Sequence, residues 1–171
     1  MKALIPMILL AGCAEPDAFM PDLCIECEQT CSVESLPSAD SSHVEGAVYT
    51  DHPPAGGDHD PCWAPFGVHE TEVNDYNFVH NLEHGAVVFL HNCLPGCAAE
   101  VAELESMASA LPQGTWLVTP YAALDTKFGA VSWAWRFQTE CFDAADMQSF
   151  YDEHVGNAPE NVRSEPSESC M

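Results

Sequence analysis

The chain has 171 residues, enough for one domain with a hydrophobic core. It carries 27 Asp and Glu residues against 4 Lys and Arg residues, which gives a formal net charge of −23 at pH 7. A surface this acidic repels phosphate, so the composition argues against a nucleic-acid partner. It is compatible with metal ions or cationic partners, and equally with a charge that only keeps the protein soluble.

The N-terminus predicts an export signal. After an initial Met-Lys, residues 3–10 are apolar apart from one proline, and this run is too short to span a bilayer. Because it ends in Gly12-Cys13, it resembles a bacterial lipoprotein signal, which implies removal of residues 1–12 and lipidation of Cys13. The lipid would anchor the protein at a membrane of the cell envelope, facing the periplasm or the exterior. The alternative is an ordinary cleaved signal peptide.

Eight cysteines follow Cys13, and an even number in an exported protein predicts disulfide bonds. The sequence does not pair them, because eight cysteines allow on the order of a hundred connectivities. The candidates are Cys24, Cys27, Cys31, Cys62, Cys93, Cys97, Cys141 and Cys170. The first three lie close together but lack the spacing of a zinc ribbon, so a small disulfide knot is favoured over a soft-metal site.

Composition divides the chain into four parts. Residues 1–12 are the signal, residues 13–45 a cysteine-containing tether interrupted by prolines, residues 46–158 a folded domain and residues 159–171 a polar tail.

The folded part begins with a short predicted strand over residues 46–49 and a loop over residues 51–63. Two prolines and two glycines exclude regular structure near the start of this loop. The loop carries His52, His59 and Cys62, and loops of fixed shape often carry function.

The next motif is Val79-His80-Asn81-Leu82-Glu83-His84-Gly85, followed by an apolar run that predicts a strand over residues 86–91. Residues four apart lie about 6 Å from each other on a helix but about 13 Å apart on a strand. A metal ion shared by His80 and His84 therefore requires a turn or short helix that ends at Gly85, where glycine suits a helical stop.

Four further segments of regular structure complete the chain, and one of them contains the cationic side chain of Arg136. Apolar residues at helical spacing predict a helix over residues 98–111, and a buried strand follows at residues 115–119. Residues 128–137 predict one strand, and Asp143 is the expected N-cap of the last helix. Arg136, in the aromatic strand, is expected to pair with a carboxylate such as Glu83 or to lie over a tryptophan, unless it is simply exposed.

The order strand, helix, strand, strand, helix predicts the α/β (α+β) class, with one domain in which a small mixed sheet is packed by two main helices. Thioredoxin-like folds have a similar order. However, Cys93-x3-Cys97 is not the Cys-x-x-Cys pair of a thiol oxidoreductase and one element is missing, so we do not assign that fold.

Several motifs together resemble the bacterial domain-of-unknown-function family 3105. They are the loop from Pro53 to His59, the motif from Val79 to Gly85, the strand end Thr119-Pro120-Tyr121, and Trp133. The match covers roughly residues 44–158. Gly56 stands where the family has serine, and His69 where it has tyrosine. The resemblance carries no activity, and it implies only that four residues form one constellation: His59, His80, Glu83 and His84.

Three functions are compatible with these features. The first is a membrane-anchored extracytoplasmic protein that binds zinc or copper through His59, His80 and His84. Its further candidate ligands are His52, His69, Cys62 and Glu83. The second is a zinc-dependent hydrolase, because His80-x-x-Glu83-His84 has the order of the inverted zinc-protease motif, in which Glu83 would activate water. The third is a structural or adaptor lipoprotein whose histidines only hydrogen-bond the backbone. The sequence indicates no particular protein partner.

Overall fold

The computed structural model describes residues 31–37 and 41–161. In these ranges the strands are β1 (Cys31–Ser35), β2 (Gly67–Val68), β3 (Val87–His91), β4 (Trp116–Pro120), β5 (Phe128–Ser132) and β6 (Trp135–Thr139). The helices are α1 (Asp75–Glu83), α2 (Ala98–Ser109) and α3 (Ala144–His154). Among the described residues, no helix combines the length and apolar character needed to cross a membrane.

The six strands form one mixed sheet in the order β1-β6-β5-β3-β4-β2. Strands β3 and β4 are parallel and are joined by α2, since a parallel pair needs a crossover connection. Strand β5 is antiparallel to β3. This arrangement confirms the predicted single α+β domain with a small mixed sheet.

The sheet separates two hydrophobic clusters, and the fully buried strand β3 contributes to both. Val87 and Phe89 pack with α2 and α3 on one face, whereas Val88 and Leu90 pack with α1 on the other. Alternate residues of a strand point to opposite faces, which explains this division. The two main helices therefore lie on one side, and α1, which carries the histidine motif, lies on the other.

The single strand predicted over residues 128–137 is wrong, because the segment folds into the β5–β6 hairpin. Ser132 pairs with Trp135, so the connection is Trp133-Ala134. Ala134 adopts φ 63°, a conformation usually taken by glycine or asparagine, and the turn therefore had no sequence signal. In one continuous strand Val131 and Phe137 would share a face, but in the hairpin they pack in different clusters.

The segment predicted as a tether contains part of the fold. Strand β1 lies within residues 13–45 and pairs antiparallel with β6. Residues 46–49 form no strand. The signal over residues 1–12 and its lipidation site Cys13 lie outside the described residues, as do the cysteines Cys24, Cys27 and Cys170.

The cysteines of the described residues are oxidised. Cys93 and Cys97 form a disulfide in the turn before α2, with their Cα atoms 5.6 Å apart. Cys31, Cys62 and Cys141 are also disulfide-bonded. The predicted disulfide bonding is thus confirmed, with both partners identified, for Cys93 and Cys97.

Candidate metal centre

The histidine motif forms the last turns of α1. The helix ends at Glu83, the N–H of His84 donates to the carbonyl of His80 over 3.2 Å, and the N–H of Gly85 donates to that of Leu82. Gly85 then adopts φ 88°, which lets the chain turn into β3. The predicted short helix ending at Gly85 is confirmed, so His80 and His84 share one helical face.

The loop that carries His59 is fastened onto α1 by the asparagine of the motif. Asn81 accepts from the N–H of Ala64 and donates to the carbonyl of the same residue, both over 2.9 Å. The N–H of Asp60 donates to the carbonyl of Tyr76 over 2.9 Å. These bonds satisfy buried backbone groups of the loop and fix it above the helix.

A third segment, upstream of the loop, completes the site. The N–H of Val44 donates to the carbonyl of His59 over 2.7 Å, and the N–H of His59 donates to that of Ser42 over 3.0 Å. This short parallel bridge brings His43 over the loop. Ser41, in the same segment, donates to Oε1 of Glu83.

Four side chains converge where these three segments meet: His43, His59, His80 and Glu83. Each offers one ligand atom, and these atoms all lie within 4.8 Å of one another. The ring centroids of His43, His59 and His80 are separated by 4.7–5.1 Å. His59, His80 and Glu83 are buried, whereas the side chain of His43 is 51% exposed. The group is therefore enclosed by protein and open to solvent on the side of His43.

Backbone carbonyls set the orientation of two of the rings. Nδ1 of His59 lies 2.8 Å from the carbonyl oxygen of Gly57, and Nδ1 of His80 lies 2.7 Å from that of Asp60. A carbonyl only accepts, so each Nδ1 carries its hydrogen and, in a neutral ring, Nε2 keeps its lone pair. Metal-bound histidines are oriented in the same way by bonds from the nitrogen that does not bind the metal.

The contact between His59 and Glu83 brings two acceptor atoms together. Nε2 of His59 lies 3.0 Å from Oε2 of Glu83, while Nδ1 of the same ring donates to the carbonyl of Gly57. A neutral imidazole has only one N–H, so Nε2 presents a lone pair to the carboxylate. A proton or a metal ion between these two atoms would satisfy both of them.

The environment holds the other two buried ligands in metal-binding protonation states. Burial, together with the neighbouring imidazoles, lowers the pKa of His80 to about 4 against the opposing effect of the Asp60 carbonyl. Burial alone would raise the pKa of Glu83, but the Ser41 hydrogen bond and the nearby His59 outweigh it, so that pKa is lowered. At neutral pH His80 is thus neutral and Glu83 is ionised.

The other predicted ligands lie outside this group. The ring centroid of His84 lies 4.8 Å from that of His80, but His84 belongs to a second group with Glu83 and Glu160. Nδ1 of His52 contacts the hydroxyl of Tyr121 over 2.7 Å. His69 bonds the carbonyl of Pro65, and the sulfur of Cys62 is in a disulfide, so it is not a thiolate ligand.

Sequence reasoning missed His43, which it placed in the tether. No spacing rule links this residue to His80, because the chain brings them together only through the bridge to His59. The expected pairing of Arg136 with a carboxylate is confirmed, but Glu83 is not the partner. The guanidinium of Arg136 pairs with Glu34 over 2.8 Å and Asp51 over 3.1 Å, away from the metal group.

A family model described as "Protein of unknown function (DUF3105)" matches residues 42–170. The chain belongs to this family. The match begins one residue before His43, so the DUF3105 segment contains all four residues of the group. No curated protein and no solved structure has detectable similarity to the chain.

Proposed function

We propose that this DUF3105 protein binds a divalent transition metal ion, zinc or copper, through His43, His59, His80 and Glu83. The observation that carries the proposal is the pair of acceptors on either side of the His59 ring, because a metal ion between Nε2 and the Glu83 carboxylate would satisfy both groups. Three imidazoles and one carboxylate around that position favour a metal ion over a proton, since such ligand sets bind zinc and copper.

The donor atoms of the group limit which metal ions it can bind. The group supplies nitrogen and oxygen, and Cys62 is in a disulfide and adds no thiolate. Soft thiolate and thioether ligands select Cu(I), whereas imidazole and carboxylate suit Zn(II) and Cu(II). The proposal is therefore zinc, or copper in its oxidised state.

The proposed location is the outside of a membrane in the cell envelope, with the domain facing the periplasm or the exterior. The sequence Gly12-Cys13 after an apolar run supports a lipid anchor at Cys13. The disulfide-bonded cysteines support an oxidising compartment. The net charge of −23 argues against nucleic acid as a partner.

The geometry does not favour the hydrolase. In the inverted zinc-protease motif the two histidines bind zinc, and the glutamate between them is not a ligand but activates water. Here His84 lies outside the group of His80, and Glu83 contacts His59 directly. We therefore propose metal binding without catalysis.

One observation supports a second candidate, a structural or adaptor lipoprotein without metal. Nδ1 of His59 and Nδ1 of His80 already bond loop carbonyls, which is the role expected of purely structural histidines. In that case Nε2 of His59 carries a proton and forms an ion pair with Glu83.

Metal content distinguishes the two functions. The full chain, purified without a polyhistidine tag, is reconstituted with zinc or copper and dialysed. We expect the wild type to retain the ion and His59→Ala and His80→Ala to lose it. His69→Ala, which removes a histidine outside the group, is the matched control and retains it. A wild type that retains neither metal overturns the proposal, and equal destabilisation by His80→Ala with and without a chelator supports the structural function.

A further inference from the structure

Glu83 belongs to two groups of candidate ligands. The first contains the three histidines described above, and the second consists of Glu83, His84 and Glu160, whose ligand atoms also lie within 4.8 Å of one another. Nε2 of His84 lies 3.8 Å from Oε2 of Glu160. One carboxylate therefore stands between two sets of potential ligands.

The second group is built by a close approach of two chain segments. The N–H of Gly156 donates to the carbonyl of Gly85 over 2.8 Å, and the N–H of Glu160 donates to the carbonyl of Glu83 over 3.1 Å. A Cβ at Gly85 would lie 2.9 Å from Cα of Gly156, so this approach depends on glycine. The segment after α3 is thus fixed beside the end of α1, and Glu160 comes with it.

Charge also supports a cation at this place. Glu83 and Glu160 have ligand oxygens within 4.8 Å of each other, in a chain with a net charge of −23. Lys127 and Arg136 are the lysine and arginine residues that the structure describes, and both pair with other carboxylates. Like charges this close are unfavourable, and a divalent cation would neutralise them.

The two groups lie side by side, as the ligands of paired metal ions do. The rings of His80 and His84, one from each group, have centroids 4.8 Å apart. Two-metal sites in proteins hold their ions about 3.5–4 Å apart, commonly with shared ligands. Oε1 of Glu83 accepts one hydrogen bond, from Ser41, and a carboxylate oxygen has a second lone pair for an ion.

We infer that the site is dinuclear, with Glu83 bridging one ion held by His43, His59 and His80 and a second ion held by His84 and Glu160. This inference rests on the proposed function, because the bridge exists only if the first ion binds. The second ion is a divalent transition metal of the same class, in a half-open position, since the side chain of Glu160 is 51% exposed.

Zinc stoichiometry of the full chain tests the inference. Titration followed by dialysis and metal analysis is done in high salt, which weakens non-specific attraction of cations to the acidic surface. We expect two zinc ions per chain in the wild type and one in Glu160→Gln, with the affinity of the remaining ion changed by no more than a few-fold. Glu103→Gln, which removes the same charge from an exposed position on α2, should keep two. Circular dichroism verifies that each variant is folded.

The outcomes separate this inference from the proposed function. One ion in the wild type, lost in His59→Ala and kept in Glu160→Gln, overturns the second site and leaves the first. Two ions in every variant, including Glu160→Gln, also overturn the second site. Loss of an ion in Glu103→Gln would mean that the second ion binds to general surface charge, and no ion in the wild type overturns both proposals.

Discussion

Cα of Gly156 lies 2.9 Å from the position that a Cβ on Gly85 would occupy, and Gly85 has φ 88°. Gly85→Ala therefore combines backbone strain with a clash against main-chain atoms that have little freedom to move. We expect it to lower the free energy of unfolding by about 2–4 kcal/mol, measured by urea denaturation. Gly114→Ala is the control, because φ is +77° there but the space is open, and it should cost about 1 kcal/mol. Equal losses in the two variants would contradict the role given to the close approach.

Metal binding should stabilise the fold. At zinc concentrations about a hundredfold above the dissociation constant, the gain is roughly 3 kcal/mol, or roughly 5–10 °C in the melting temperature for a chain of this size. His80→Ala should show no zinc-dependent shift, whereas His52→Ala, outside the metal group, should keep it. A shift of the same size in His80→Ala would indicate that zinc binds elsewhere.

Acid should destabilise the protein through buried histidines. His154 is buried between Trp135 and Phe150, its Nε2 has no hydrogen-bond partner among the described residues, and burial lowers its pKa from 6.5 to about 4. Between these values the unfolded chain binds more protons, so stability falls as the pH falls from about 6.5 to about 4.

His154→Leu should remove that part of the acid sensitivity, at most about 3 kcal/mol, and change stability at neutral pH by no more than about 1 kcal/mol. His80, whose pKa is also lowered to about 4, would keep its share. Urea denaturation at several pH values measures the difference. An unchanged pH dependence in His154→Leu would show that this ring does not titrate as its burial requires.

The planar fork of Arg136 should not be replaceable by an ammonium group. Arg136 is buried, bonds Glu34 through Nε and Nη2, and donates to the carbonyl of Pro53 over 3.2 Å. Arg136→Lys keeps the charge but loses this geometry, so we expect a loss of about 1–3 kcal/mol in urea denaturation. Lys127→Ala removes a more exposed ion pair and should cost less than about 1 kcal/mol. A larger loss of stability in Lys127→Ala than in Arg136→Lys would contradict the structural role given to the guanidinium of Arg136.

The β5–β6 turn should accept glycine. Ala134 has φ 63°, which is strained for a residue with a Cβ, and Ala134→Gly should raise the free energy of unfolding by up to about 1 kcal/mol. Ala122→Gly, at an exposed loop position without positive φ, should instead lower it by about 0.5–1 kcal/mol. Thermal or urea unfolding distinguishes the two signs, and destabilisation by Ala134→Gly would refute the strain.

Local patterns predicted the parts of the fold whose causes are local. The spacing of His80 and His84 required a short helix, and α1 supplies it. Apolar runs also predicted the strands β3 and β4 and the helix between them. The joining of His59, His80 and Glu83 in one constellation was implied only by the resemblance to the family, and the structure places these three side chains in one group.

Contacts that depend on distant parts of the chain were missed. Strand β1 is a short edge strand with a mixed sequence, so it has no hydrophobic run to reveal it. His43 enters the site through a bridge to His59. His84 contacts Glu160, which lies in the segment after α3. Helical spacing places His80 and His84 on one face, but it does not determine which carboxylate each ring meets.

The candidate ligands His43, His59 and His80 come from three separate stretches of the chain. His43 lies in the stretch that follows the predicted anchor site Cys13. An ion held by all three would act as a reversible cross-link between them, and because it binds only the folded site, unfolding would require its release. Unlike the disulfide between Cys93 and Cys97, this link would open when metal becomes scarce. The resistance of the domain to proteolysis would then follow the supply of metal around it.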